Sequence, residues 1–163
     1  MATSDPPPPK PDVASLPAET IDFAHKMFEA ARTGNSELLL AAIDAGLPLN
    51  LTNDKGNTLL MLAAYAGQAE LTKQLLDRGA DPNRLNDLGQ SMIAGAVFKA
   101  HTDVVKALAE KGADPRIGTP NAIQAAIMFN RKDLMNVLGV TEDDVNSANV
   151  PIPPSAATKR DSE

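Results

Sequence analysis

The side chains able to do chemistry are few and scattered in this 163-residue chain. It has no cysteine, which removes a thiol nucleophile, a thiolate zinc or iron–sulfur site and a disulfide framework. Its two histidines, His25 and His101, are too few for an all-histidine metal centre. No G-x-x-x-x-G-K is present to cradle phosphate, no G-x-G-x-x-G follows a strand, and no H-E-x-x-H offers zinc ligands. Asn53-Asp54-Lys55-Gly56 and Asn86-Asp87-Leu88-Gly89 have the outline of calcium loops. They place Lys55 and Leu88 where an oxygen ligand is needed just before the glycine, and so read as turns closed by Asp and Gly. No catalytic residue, metal ligand or cofactor is expected, and the chain is not expected to be an enzyme.

Partners are narrowed in the same way. A formal charge of −6 argues against a protein held to nucleic acid by phosphate contacts. No apolar run approaches the ~18 residues of a membrane span, and Met1–Pro11 lacks the apolar stretch of a secretory signal. Pro6–Pro11 has P-x-x-P spacing with Lys10 inside it, which fits a ligand for an SH3-like or WW-like groove but fits a solubilising spacer better. Lys159-Arg160 is too short for a basic patch, and Glu142-Asp143-Asp144 reads as a solvated run past the last helix. A cytoplasmic location is expected, with a nuclear one open to so small a chain.

The elements that carry these residues follow from composition and period. With 26 Ala, one Tyr, four Phe and no Trp, any core is made of Ala, Leu, Ile, Val and Met. Nine of the 13 prolines lie in residues 1–17 and 141–163, which also carry a net −4 of the total charge. Neither end buries enough apolar surface to offset its ordering entropy, so both are expected to be disordered tails around a folded block at 18–140.

That block repeats at an offset of 33 residues. Gly46 maps to Gly79 and Gly112, Gly34 to Gly67, Gly56 to Gly89, Asn50 to Asn83, and Asp81-Pro82 to Asp114-Pro115. Each unit has the same physical content. Thr58 or Ser91 is placed to cap a helix over Leu59–Ala66 or Met92–Lys99. Gly67, or Ala100 and His101, turns the chain into a second helix over Ala69–Arg78 or Thr102–Lys111. Leu71, Leu75 and Leu76 fall at helical spacing. Gly79 and Gly112 then stand where a helix end wants a left-handed residue, and an extended finger leads into the next unit.

Leu51–Arg84 resembles an ankyrin repeat. The match runs through Gly56, Thr58, Leu60, Ala63, Ala64, Gly67, Glu70, Leu75, Leu76, Gly79, Ala80, Asp81 and Asn83. Leu59 and Met61 replace the family's Pro and His, which bears on its Thr–His hydrogen bonds rather than on its fold. The next unit matches at Gly89, Ala96, Val105, Leu108, Gly112, Ala113 and Asp114, with Gly95 where an apolar residue is usual and where it weakens the helix. The resemblance implies an all-α solenoid of helix-turn-helix units with short extended fingers. Its four units are expected at 21–50, 51–83, 84–116 and 117–140. The first and last are caps, the last with a finger about three residues short.

In ankyrin-like stacks, partners usually bind the concave face, through finger tips and the exposed ends of the first helices. Carried onto this chain, that implies Asp54, Lys55 and Asn57 on one finger and Asp87, Leu88 and Gln90 on the next. The helix ends contribute Arg32, Tyr65, Phe98 with Lys99, and Met128 with Phe129. Three of the chain's five aromatics fall on this line, and aromatic rings bury large area at low entropy cost. The competing placement turns Phe98 and Phe129 inward to fill gaps beside alanines. The resemblance thus implies a monomeric, non-catalytic protein-interaction module. An inhibitor or chaperone-like subunit dedicated to one client is the alternative, and a small-ligand sensor or enzyme a more distant one.

Overall fold

A computed structural model describes residues 18–147. The proline-rich segment Pro6–Pro11, the pair Lys159-Arg160 and the rest of the two terminal segments lie outside the described residues. Within them the secondary structure is helical, with a single isolated bridge between Thr52 and Thr58. The helices run in pairs. They are α1 (Ala18–Thr33) with α2 (Ser36–Asp44), α3 (Leu59–Tyr65) with α4 (Ala69–Asp77), α5 (Met92–Phe98) with α6 (Thr102–Glu110), and α7 (Ala122–Met128) with α8 (Lys132–Leu138). A further short helix, α9 (Glu142–Ser147), closes the described chain.

The first helices α1, α3, α5 and α7 pack side by side in one row, and α4, α6 and α8 form a second row. This layering explains the two hydrophobic patterns. The middle first helices have neighbours on both sides and a partner behind, so they are apolar nearly all round. Leu59, Leu60, Met61, Ala63 and Ala64 of α3 are fully buried, as are Met92 and Ala96 of α5. The second helices face solvent on one side. In α4, Leu71, Leu75 and Leu76 are buried while Glu70, Lys73 and Asp77 are exposed.

The starts of the first helices and the ends of the second have local causes. Thr58 Oγ1 accepts from Met61 N at 3.1 Å and Ser91 Oγ from Ala94 N at 3.2 Å, both within the core. Asn121 takes the corresponding position in the fourth unit and forms a reciprocal capping box with Gln124. The caps thus fall 33 and then 30 residues apart, and the fourth finger is short as the spacing predicts. The second helices end at Gly79 (φ +93°) and Gly112 (φ +85°), with the following amides bonded back to Leu75 and Leu108 carbonyls.

Three bonding patterns tie one unit to the next. Asn50 Oδ1 accepts from Asp81 N, and 33 residues on Asn83 Oδ1 accepts from Asp114 N. Asp44 pairs with Arg78 at 3.1 Å and, one repeat later, Asp77 pairs with Lys111 at 2.9 Å. Gln68 Nε2 donates to the Arg32 carbonyl at 2.9 Å, and His101 Nε2 lies 3.1 Å from the Tyr65 carbonyl. A carbonyl can only accept, so this nitrogen of His101 carries the proton. The His101 ring occupies the space a side chain at Gly67 would need, 2.8 Å from an added Cβ. His101 is a structural clamp between units.

Two expectations are corrected. Order does not stop at Val140, because Thr141 and Asp144 cap α9 reciprocally. Thr141 N donates to Asp144 Oδ2 at 2.8 Å, and Asp144 N donates to Thr141 Oγ1 at 3.2 Å. Arg116 holds the same carboxylate at 2.9 Å, so Glu142-Asp143-Asp144, with Glu142 and Asp143 in solvent as expected, is the first turn of a further helix. The second concerns Gly95, which is more than a weak point of α5. An added Cβ there would collide with the Tyr65 ring, so the glycine is the seat of that ring.

Candidate functional site: a concave aromatic cleft

Because the first helices line up and the fingers project from their N-terminal ends, a groove runs between the two. It includes a cleft of about 370 Å³ lined mainly by apolar atoms. Gln90 and Ser91 come from the third finger and its cap, Ala94, Gly95, Phe98 and Lys99 from α5 and its end. Thr119 and Pro120 come from the short fourth finger, Ala125 from α7 and Tyr65 from the end of α3.

The rings divide by burial. Phe98 is 65% exposed and Phe129 45% exposed, and they meet edge to face with centroids 5.2 Å apart. The inward placement of these two residues is therefore not the one adopted. Tyr65 is only half-buried against Gly95 and forms part of the cleft's wall rather than standing free on its rim. Its hydroxyl lies 3.5 Å from the Ser91 carbonyl, and burial pushes its pKa up to about 12, so it stays neutral.

The polar groups around the cleft are largely committed to building the fingers. Asn86 Nδ2 donates to Gln90 Oε1 and to Asn57 Oδ1, while Asn86 Oδ1 accepts from Leu88 N and Gln90 N. Asn53 Oδ1 does the same for Lys55 N and Asn57 N. Successive fingers join through Asp87 N to the Lys55 carbonyl and Thr119 N to the Gly89 carbonyl. The Asp87 carboxylate leans over Gly56, where any side chain would collide with it.

Of the residues expected on the concave line, the cleft gathers Tyr65, Gln90, Phe98 and Lys99, and Phe129 joins through its contact with Phe98. Asp54, Lys55 and Asn57 lie on the second finger, Asp87 and Leu88 on the third, none of them in the cleft wall. Leu88 is 78% exposed at its finger's tip. Arg32 is exposed at the end of α1, outside the cleft lining, and pairs with Glu29 at 3.3 Å. Met128 is half-buried and outside the lining. Ser91, Ala94, Gly95, Thr119, Pro120 and Ala125 line the cleft without having been expected. The one signal for them was Gly95, a glycine inside a helix that no turn required.

Among the described residues, no three side chains of His, Asp or Glu gather as metal ligands, and no helix is long and apolar enough to cross a membrane.

Comparison with known proteins agrees with this architecture. A curated ankyrin repeat protein of Pseudomonas aeruginosa is 49% identical over 57 residues, which are 35% of this chain and 32% of that protein. The chain therefore aligns with about a third of that relative's length. The crystal structure of the human ASB11 ankyrin repeat domain superposes with a TM-score of 0.64 at 24% identity. That superposition covers 72% of this chain and 55% of the other, a likeness of fold. The family model for ankyrin repeats in three copies matches residues 27–119, more than half of the chain. Ankyrin repeats are in general non-catalytic protein–protein interaction modules. With four stacked helix pairs, glycine-closed turns and fingers joined edge to edge, this chain belongs to the ankyrin repeat family.

Proposed function

We propose that this protein binds another protein through its concave face, with the cleft between α5, α7 and the third and fourth fingers as the centre of contact, and that it carries out no reaction of its own. The observation that carries this reading is the pair Phe98 and Phe129. Two large rings held edge to face in solvent lose apolar burial that folding inward would have given them, and the core beneath is already filled by Ala, Leu and Val. A preformed apolar centre needs little reordering when a partner arrives, and exposed Lys99 and Leu88 extend it at the margins.

The test is affinity purification of the tagged chain from the cells that make it, beside a Phe98→Ala, Phe129→Ala variant. Both rings are exposed, so the variant keeps its helical content, and the partner recovered with the parent is expected to be lost. A partner retained at full yield would move the interface elsewhere on the molecule.

A further inference from the structure

We propose that the cleft takes a short segment of the partner presenting one large apolar side chain with a carboxylate close beside it. The apolar group lies on Phe98, Phe129 and Tyr65, and the carboxylate meets the Lys99 ammonium. This rests on the concave-face reading and gives the partner its chemistry.

Size sets the first limit. About 370 Å³ is at the low end of the ~300–1,000 Å³ typical of small-ligand sites, so the occupant is a side chain and its immediate neighbours. Charge sets the second. Lys99 is the one charged residue among those lining the cleft. Like several other surface lysines it has no ion-pair partner among the described residues, and it alone of them lines the cleft. The carboxylate of Asp87 on the third finger lies against Gly56 of the second finger. The cleft is thus locally positive although the chain as a whole carries −6. Beyond the Debye length of ~8 Å that total is screened, so the nearby ammonium governs contact.

The remaining polar groups sharpen the choice. Gln90 Oε1 is held by Asn86, Ser91 Oγ caps α5, and the Tyr65 hydroxyl is neutral. None of them carries a negative charge to hold a cationic anchor. Aromatic faces do attract cations, but here an ammonium already stands beside them, so a Lys or Arg anchor meets like charge. A carboxylate meets a charged donor at the margin of an apolar floor, and a bound segment that covers the cleft shields their charge-assisted bond from water.

The experiment selects a random peptide library against the immobilised full chain and measures the enriched peptides by fluorescence polarisation. Synthetic peptides of residues 1–17 and 148–163 are included. Enriched peptides should share Leu, Met, Phe or Trp next to Asp or Glu. Lys99→Glu should weaken them about tenfold and should shift a fresh selection toward Lys and Arg. The proposal is overturned by enrichment without acidic residues, by unchanged affinity in Lys99→Glu, by no enrichment, or by tighter binding of the chain's own terminal peptides. If Phe98→Ala abolishes binding while Lys99→Glu does not change it, the charge assignment falls and the concave-face reading stands. If the selected peptides bind the Phe98→Ala, Phe129→Ala variant as tightly as the parent, both fall.

Discussion

The junctions between the first three units and the junction between the third and fourth are built differently. Up to the third unit, each turn glycine is covered by a polar side chain from the next unit. Gln68 covers Gly34 and His101 covers Gly67, each bonded to the carbonyl at the end of the preceding first helix. At the last junction the turn residue is Ala100, in the same left-handed conformation (φ +63°) but carrying a Cβ. The equivalent Arg131 turns instead to Thr102 Oγ1 at 3.2 Å and to Asp133. The Asn–Asp ladder also ends there, and the finger is shortened. At this same irregular junction the two phenylalanines are exposed and the cleft opens. Regular repetition closes surface against the next unit; a lapse in it leaves surface for something else.

The sharpest way to break this contrast is to truncate one residue from each class. Leu75→Ala removes a fully buried side chain of the regular region and should cost about 2–5 kcal/mol in urea or thermal melts. Phe98→Ala removes a ring that is mostly in solvent and should cost less than about 1 kcal/mol, part of it the edge-to-face contact with Phe129. Comparable losses for the two would contradict the assignment of Phe98 to an open surface.

Next in size is Gly67→Ala. It forces a Cβ into the left-handed region and against the His101 ring, at a cost of about 1–2 kcal/mol by chemical denaturation. Gly79→Ala meets the same backbone restriction (φ +93°) with nothing within 4 Å of its new Cβ, and should lose less. Equal losses would show that His101 contributes nothing as a clamp.

The irregular junction should respond in the opposite direction. Ala100→Gly relieves a positive φ that the parent tolerates and should stabilise the chain by about 0.5 kcal/mol, measured in the same melts. A loss on this change would mean that the Ala100 side chain is used at the junction.

The smallest effect is one of pH and is confined to α9. The Thr141 backbone N–H, then its hydroxyl and the Arg116 guanidinium hold the Asp144 carboxyl below its ordinary range. A carboxyl depressed in the folded state contributes stability above its unfolded value and loses it as pH falls through the folded one. The protection of the Glu142–Ser147 amides, taken relative to their intrinsic exchange rates at each pH, should therefore fall below about pH 4 while that of α3 to α6 is kept. Arg116→Ala should move the onset to higher pH. A uniform loss of protection would mean that α9 is no separate unit.

The ankyrin fold was legible because each unit writes its own boundaries. Thr58 and Ser91 cap, Gly79 and Gly112 terminate, Leu71, Leu75 and Leu76 face inward, and the 33-residue offset of these local signals places one unit upon another. Short-range chemistry of this kind acts within a few residues and survives in one dimension. α9 escaped notice because an acidic run looks solvated until Arg116, far back in the chain, is brought to Asp144. The cleft escaped in part for the same reason. Gly95 reads as a weakness in its own helix and becomes a seat only when Tyr65, 30 residues earlier, leans across it. Which aromatic is walled in and which stands in solvent is set by packing between neighbouring units, and the order of residues fixes the units but not the gaps left between them.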